Sequence, residues 1–194
     1  MHLMGHAQRP EELDLGLGWL YYGLARVERP STAVVIGSWR GFAPIVIGKA
    51  LQDSGGGEVV FIDPSLVDDF WKQPDEVAHH FQSFGISNIR HVRMTTQQFV
   101  QSEHYGRLDE VGLLLVDGLH TSEQAEYDFR AFEPKFPSGA VALFHDSVRT
   151  RWSRIYGEPY EHTVCHFMDQ LRTSGSYDVF SFEQGDGLTL VRKR

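Results

Sequence analysis

The sequence predicts an α/β domain built on a doubly wound, mostly parallel sheet. Short Val/Ile/Leu runs recur between amphipathic stretches of helical length, the pattern of buried parallel strands alternating with helices. The runs end abruptly in an acid or a glycine: Ile36-Gly37, Ile62-Asp63, Val116-Asp117 and Phe144-His145-Asp146. The last strand signals, Tyr177 to Phe182 and Leu188 to Val191, flank Gly185-Asp186-Gly187 and read as an antiparallel hairpin. Five βα units closed by a hairpin give a sheet with a mixed edge.

Taken in order, Glu11 to Glu28 carries Leu13, Leu17, Leu20 and Leu24 at helical spacing and stops at Pro30. Ala33 to Ile36 is the first strand. Phe42 to Leu51 is a helix that tolerates Pro44 in its first turn. Val59 to Ile62 is the second strand, and Leu66 to Phe84 a helix that Pro74 breaks or kinks. Ile89 to Met94 is strand three, Thr96 to Ser102 a short helix and Val111 to Val116 strand four. Thr121 or Ser122 caps a helix running to Phe132. Ala140 to Phe144 is strand five, and Val164 to Arg172 the last helix. Residues 149–163 read as a lid-like loop, basic and aromatic. There Arg149, Arg151, Trp152, Arg154, Tyr156, Tyr160 and His162 either meet an anionic or aromatic ligand or, for most of them, form a solvated surface.

The 194 residues suit one domain, residues 1–194, with residues 1–30 as a cap or subunit interface. A formal net charge of -8 argues against general affinity for nucleic acid. Apolar runs of about six residues fall far short of the ~20 that cross a bilayer, so no membrane partner is expected. Met1 to Pro10 has no apolar core of the signal-peptide kind. Cys165 is the single cysteine, which suits a reducing compartment, and the expected location is cytoplasmic.

In open α/β sheets ligands bind beyond the carboxyl ends of the strands. Gly37-Ser38-Trp39-Arg40-Gly41 follows the first strand, where helix N-terminal amides favour an anion or polar ligand; an ordinary tight turn is the plainer alternative. It is no dinucleotide fingerprint, because Trp39 stands where a glycine must admit a pyrophosphate. Asp63 is placed to accept both hydroxyls of a ribose. Turn and acid together point to a nucleoside and away from NAD. Asp117, His120, His145 and Asp146 form a third group, whose carboxylates and imidazoles suit Mg²⁺ or another divalent cation. His145 and Asp146 can both face the cleft only if the strand has already ended, since successive strand residues point to opposite faces. Asp128 reads as structural and Cys165 as core.

In order and spacing, Val34 to Gly41, Phe61-Ile62-Asp63, Val116 to His120 and Phe144-His145-Asp146 resemble the class I S-adenosylmethionine-dependent methyltransferases. The similarity is to the branch with Asp-Gly-x-His and His-Asp elements, and it covers roughly residues 30–194. It implies a Rossmann-like sheet of seven strands with the last one antiparallel. It implies that Gly37, Ser38, Trp39 and Gly41 hold the methionine part of the cofactor, Asp63 the ribose, and Thr96 and Gln97 the adenine, with Asp117 beside them. It further implies a metal on Asp117, Asp146 and His145. The expected reaction is metal-assisted O-methylation of a small-molecule acceptor, with His120 or His145 as general base. One departure stands out. Where the family carries an acid two residues before the first glycine, this chain has Val35. That leaves open a non-catalytic nucleoside-binding or regulatory role. An NAD-dependent oxidoreductase rests only on the sheet and Asp63. The little chain outside the core leaves two arrangements: a homodimer whose partner completes the pocket, or an open site for a large acceptor.

Overall fold

The computed structural model describes residues 6–154 and 158–194. Seven strands form one sheet: β1 (Thr32–Ile36), β2 (Glu58–Ile62), β3 (Ile89–Val92), β4 (Leu113–Val116) and β5 (Val141–His145), with β8 (Tyr177–Phe182) and β9 (Leu188–Lys193). Their order is β3-β2-β1-β4-β5-β9-β8, parallel from β3 to β5 and antiparallel at β9 and β8. The chain winds outward from β1 to β3, then returns to start β4 on the other side of β1. That reversal is the switch point, where the two loops diverge and leave a crevice.

Alternation along the strands sorts side chains into two cores. Ala33, Val35, Val59, Phe61, Leu113, Leu115 and Leu143 face α1 (Gly18–Glu28), α2 (Phe42–Asp53) and α3 (Pro74–Ser83). Val34, Ile36, Val60, Ile62, Leu114, Val116 and Phe144 face α4 (Thr96–Val100), α6 (Ser122–Phe132) and α7 (Val164–Ser174). A short α5 (Glu103–Gly106) follows α4. The four central strands β1, β2, β4 and β5 are buried on both faces, so they run apolar from Ala33 to Ile36, Val59 to Ile62, Leu113 to Val116 and Val141 to Phe144.

Three expected elements differ. The helix expected from Glu11 begins only at Gly18. Pro10–Glu12 makes one 3-10 turn, which Leu13 ends in a left-handed conformation at φ 55°. The chain then folds back so that Leu17 N donates to His6 O at 2.8 Å. The buried stripe of α1 therefore runs through Leu17, Tyr21 and Ala25, and Leu13 is 86% exposed.

The stretch before Pro74 is not helical: the break expected at Pro74 is present, as the start of α3, but the helical segment expected before it is not. Local hydrogen bonds hold residues 65–71 in another shape: Ser65 N donates to Asp63 Oδ1 at 2.7 Å, Ser65 Oγ to Asp68 O at 2.6 Å, and Trp71 N to Ser65 Oγ at 3.2 Å. Such bonds compete directly with the helix ladder.

The expected loop from Arg149 contains a two-stranded antiparallel ribbon, β6 (Arg151–Ser153) against β7 (Tyr160–His162). Tyr156, named above with this loop, lies outside the described residues, as do residues 1–5 of the N-terminal stretch.

Candidate active site

Register builds the site. Ile36 pairs with Ile62 on one side and Val116 on the other, and Val116 pairs with Phe144. The next residue of each strand, namely Gly37, Asp63, Asp117 and His145, therefore lies in one row along the carboxyl edge. A cleft of about 500 Å³ opens there, in the range of small-molecule sites. Gly37, Ser38, Trp39, Asp63, Thr96 and Gln97 line it, as do Asp117, His120, His145 and Asp146. Gly41 does not. It caps α2 at φ 78°, with a Cβ position 2.9 Å from the Trp71 ring.

Gly37 is required twice over. Its φ of 70° is left-handed, and a Cβ would come within 2.6 Å of the Gly118 Cα and closer still to the Asp117 carbonyl oxygen. The β1 and β4 loops touch at this point, which sets the floor of the cleft. Beside it, Asp63 accepts from Ser65 N at 2.7 Å and Ser38 N at 3.4 Å, and burial raises its carboxyl above the usual range. On the far wall the carboxamides are wired in series. Gln97 Nε2 donates to Gln124 Oε1 at 2.9 Å, and Gln124 Nε2 to Asp128 Oδ1 at 2.7 Å. Burial pushes the Asp128 carboxyl up to about 6.

The acid and imidazole residues form two sets that meet at His145, whose Nδ1 also lies 3.7 Å from Asp146 Oδ2. In the first, Asp117 Oδ1 lies 2.9 Å from His145 Nδ1 and Oδ2 lies 3.6 Å from His6 Nε2. In the second, Asp146 Oδ2 lies 3.2 Å from both His120 Nδ1 and His162 Nδ1, whose rings stack at 4.5 Å. Arg151 completes this set, with Nη2 at 2.8 Å from each Asp146 oxygen. Strand β5 stops at His145, and Asp146 turns to φ 53°, so both side chains reach the cleft from adjacent positions.

Electrostatics follow from burial and pairing. Burial pushes His6 down to about 3 and His120 down to about 4, which keeps both rings neutral near pH 7. For Asp117 and Asp146 burial acts the other way. The imidazoles around both, with the Arg151 hydrogen bonds on Asp146, outweigh it and hold both carboxyls below the usual range. The donor sets, imidazole nitrogen with carboxylate oxygen, fit a divalent cation.

His6 carries no periodic signal in the sequence, and its place depends on the fold-back before α1. Arg151 and His162 belong to a stretch that reads as mostly solvated. The alternation Arg151-Trp152-Ser153, inward, outward, inward, is the available hint: Trp152 is exposed while Arg151 and Ser153 line the cleft. Val35 is fully buried in the core beside α2.

Fold order and cleft together define a class I, Rossmann-like methyltransferase. The chain belongs to the family described as Methyltransferase domain, which residues 34–147 match. Against curated proteins nothing matches. Among solved structures, the chain is similar to the O-methyltransferase TomG from Streptomyces achromogenes, involved in tomaymycin synthesis and solved in complex with S-adenosylmethionine. Identity is 19% and the TM-score 0.67, covering 100% of this chain and 91% of that one. It is also similar to an O-methyltransferase from Bacillus cereus in complex with S-adenosylhomocysteine, at 16% identity and TM-score 0.69, covering 99% and 84%. A Podospora anserina methyltransferase bound to S-adenosylhomocysteine aligns at 16% identity and TM-score 0.65, covering 93% and 79%.

Proposed function

We propose that this chain transfers a methyl group from S-adenosylmethionine to a hydroxyl oxygen of a small molecule, with the help of a divalent cation. The observation that carries the reading is the row Gly37, Asp63, Asp117, His145 along one sheet edge, with Asp146 turned into the same cleft. Solved O-methyltransferases of similar fold hold S-adenosylmethionine or S-adenosylhomocysteine.

In this reading the turn from Gly37 to Trp39 receives the methionine part of the cofactor, Asp63 the ribose hydroxyls, and Thr96 and Gln97 the adenine. Asp117, His145 and Asp146 lie where a cation would be held. The bound cofactor supplies an electrophilic methyl on a sulfonium, and a bound cation lowers the pKa of the acceptor hydroxyl. The chain's own contribution is position, which counts heavily in an in-line displacement. His120 directs Nδ1 toward Asp146, so Nε2 is the atom left to take the acceptor proton. The acceptor oxygen gains the methyl, the sulfonium leaves as a neutral thioether, and the proton ends on the imidazole. Residues 149–163 act as the lid over this acceptor, and residues 1–30 as cap or dimer contact. We place the protein in the cytoplasm, on the strength of its single cysteine, and expect no nucleic-acid partner at a net charge of -8. Among the described residues no helix is long and apolar enough to cross a membrane.

Calorimetry with S-adenosylhomocysteine tests the reading: saturable binding supports it, and no binding at millimolar concentration overturns it. A second reading, a nucleoside-binding regulator without turnover, draws on Val35, a buried apolar residue where the resemblance implies an acid to hold the cofactor's amine. Methyl transfer to any acceptor in a substrate screen excludes it.

A further inference from the structure

We infer that His6, Asp117 and His145 form a nitrogen-rich centre for one borderline transition-metal dication, of the Zn²⁺, Fe²⁺ or Co²⁺ kind, in preference to Mg²⁺. The inference rests on the cation part of the reading above and alters its ligand set: Asp146 gives way to His6, which lies more than a hundred residues from the other two in sequence.

Geometry is the first ground. Ligand atoms sharing a metal at bonds of about 2.1 Å stand roughly 3.0–3.4 Å apart in octahedral or tetrahedral arrangements. Asp117 Oδ1 to His145 Nδ1 is 2.9 Å, and Asp117 Oδ2 to His6 Nε2 is 3.6 Å. The His6 and His145 rings lie 4.2 Å apart, and one ligand atom from each of the three residues falls within 4.8 Å of the others.

His6 is built in rather than draped over the cleft. It is 1% exposed, and its backbone oxygen is tied to Leu17 N at 2.8 Å. A Cβ on Gly16, held at φ 55°, would strike that same oxygen, so the glycine admits the fold-back. His6 Nδ1 meets the buried Tyr21 hydroxyl at 3.0 Å, which leaves Nε2 aimed at Asp117. A metal-bound histidine usually has its second ring nitrogen engaged behind the metal, the place Tyr21 takes at Nδ1 here.

Charge separates this set from its neighbour. Asp146 already has a guanidinium on both oxygens. Among the described residues Asp117 pairs with imidazoles and with no Lys or Arg. A buried carboxylate without a cation is costly, and a dication offsets that cost at Asp117 but would face Arg151 at Asp146. The class of metal follows from the donors. Two imidazoles and one carboxylate favour borderline ions that take nitrogen, whereas Mg²⁺ demands oxygen.

The test uses the full chain, stripped with a chelator and titrated with Co²⁺, Zn²⁺ or Mg²⁺ while binding heat and the visible absorption of Co²⁺ are followed. We expect about one equivalent of Co²⁺ or Zn²⁺, bound at least roughly 100-fold more tightly than Mg²⁺. His6→Ala should weaken Co²⁺ at least about tenfold, and Tyr21→Phe should weaken it less. His162→Ala, in the set that Arg151 neutralises, should leave Co²⁺ affinity within about threefold. Should His6→Ala fail to fold, X-ray absorption on the Zn²⁺-loaded wild type decides: two imidazoles support the centre, none or one overturns it. Equal or tighter Mg²⁺ binding, no metal uptake, or unchanged Co²⁺ affinity in a folded His6→Ala would each overturn it. S-adenosylhomocysteine binding is measured on the same samples. Its loss with metal uptake intact counts against methyl transfer alone, and the reverse counts against this centre alone.

Discussion

His162 Nδ1 lies 3.2 Å from Asp146 Oδ2, joining the end of ribbon strand β7 to the residue that follows β5. His162 has no solvent exposure, and among the described residues its Nε2 finds no hydrogen-bond partner. The ribbon is therefore anchored in the cleft by the same carboxylate that orients His120. The position of the ribbon and the orientation of His120 depend on one acid.

Against burial, His162, His120, His145 and Arg151 together hold that acid below the usual carboxylate range, and Arg151 alone bonds both of its oxygens, so its removal should be felt at both places. Arg151→Ala should destabilise the fold by about 2–3 kcal/mol, discounted from a fully buried pair because the guanidinium is 31% exposed. Arg151→Lys keeps the charge but not the two-pronged contact and should recover only part of the loss. Urea unfolding of the three proteins checks the ranking. Equal stabilities would mean the ribbon is not anchored through Asp146.

Gly37→Ala meets strain and a clash at once. The left-handed backbone alone costs about 1–2 kcal/mol for a residue with a Cβ. Crowding of the Asp117–Gly118 backbone adds to it, and we expect about 3 kcal/mol or more in total. Gly55→Ala is the matched control, with φ 90° and open space around the Cβ, and should show the strain cost alone. If the two variants melt together, the contact between the β1 and β4 loops is looser than described.

The strand ends were legible in the sequence because each is a local event: an apolar run stops at a residue that cannot continue it. Gly37, Asp63, Asp117 and His145 needed no knowledge of neighbours, and parallel register then aligned them. Periodicity overextends the helices at 66–84 and 11–28, because it counts apolar residues and not what the backbone bonds to. Ser65 diverts one chain segment, and Gly16 with Leu13 reverses the other. His6 is hidden for a related reason, and Arg151 and His162 show in the sequence only as members of a basic, aromatic loop. Their positions follow from excursions fixed by tertiary contacts, of which the sequence carries only the short alternation at Arg151-Trp152-Ser153.

Asp63→Asn tests the nucleoside half of the cleft. One carboxylate oxygen accepts from Ser65 N at 2.7 Å, and the amide can keep that bond through its oxygen while losing the second acceptor. We expect S-adenosylhomocysteine affinity to fall about 10- to 100-fold, or about 1.4–2.8 kcal/mol, with the fold intact by circular dichroism. Unchanged affinity in calorimetry would remove Asp63 from the site.

Asp128 gives a pH signature in the opposite sense to ordinary acids. Burial raises its folded carboxyl to about 6, above its unfolded value of 3.8. The stability tied to the neutral form is therefore fully present below pH 3.8 and lost as pH rises through about 6. Asp128→Asn should then be more stable than wild type by up to about 3 kcal/mol at pH 8, a gap that closes toward pH 4. Thermal melts of both proteins across this range decide. A gap that widens toward acid would show that Asp128 is ionised and favourably paired.

His120 supplies the complementary case. Burial leads the causes that lower it to about 4, against 6.5 unfolded, so the folded state favours the neutral ring. Its contribution to stability is present above pH 6.5 and lost as pH falls through about 4. Metal-free protein should lose stability across that window, and His120→Gln, which cannot titrate, should flatten the loss by the equivalent of roughly one proton. The same neutrality fits a base that takes the acceptor proton, so the acid limb of kcat/KM should fall near pH 4 to 5 and not near 6.5. Urea unfolding at stepped pH measures the first effect and a pH–rate profile the second. An acid limb at the ordinary imidazole value would move the base elsewhere, to a histidine in contact with water.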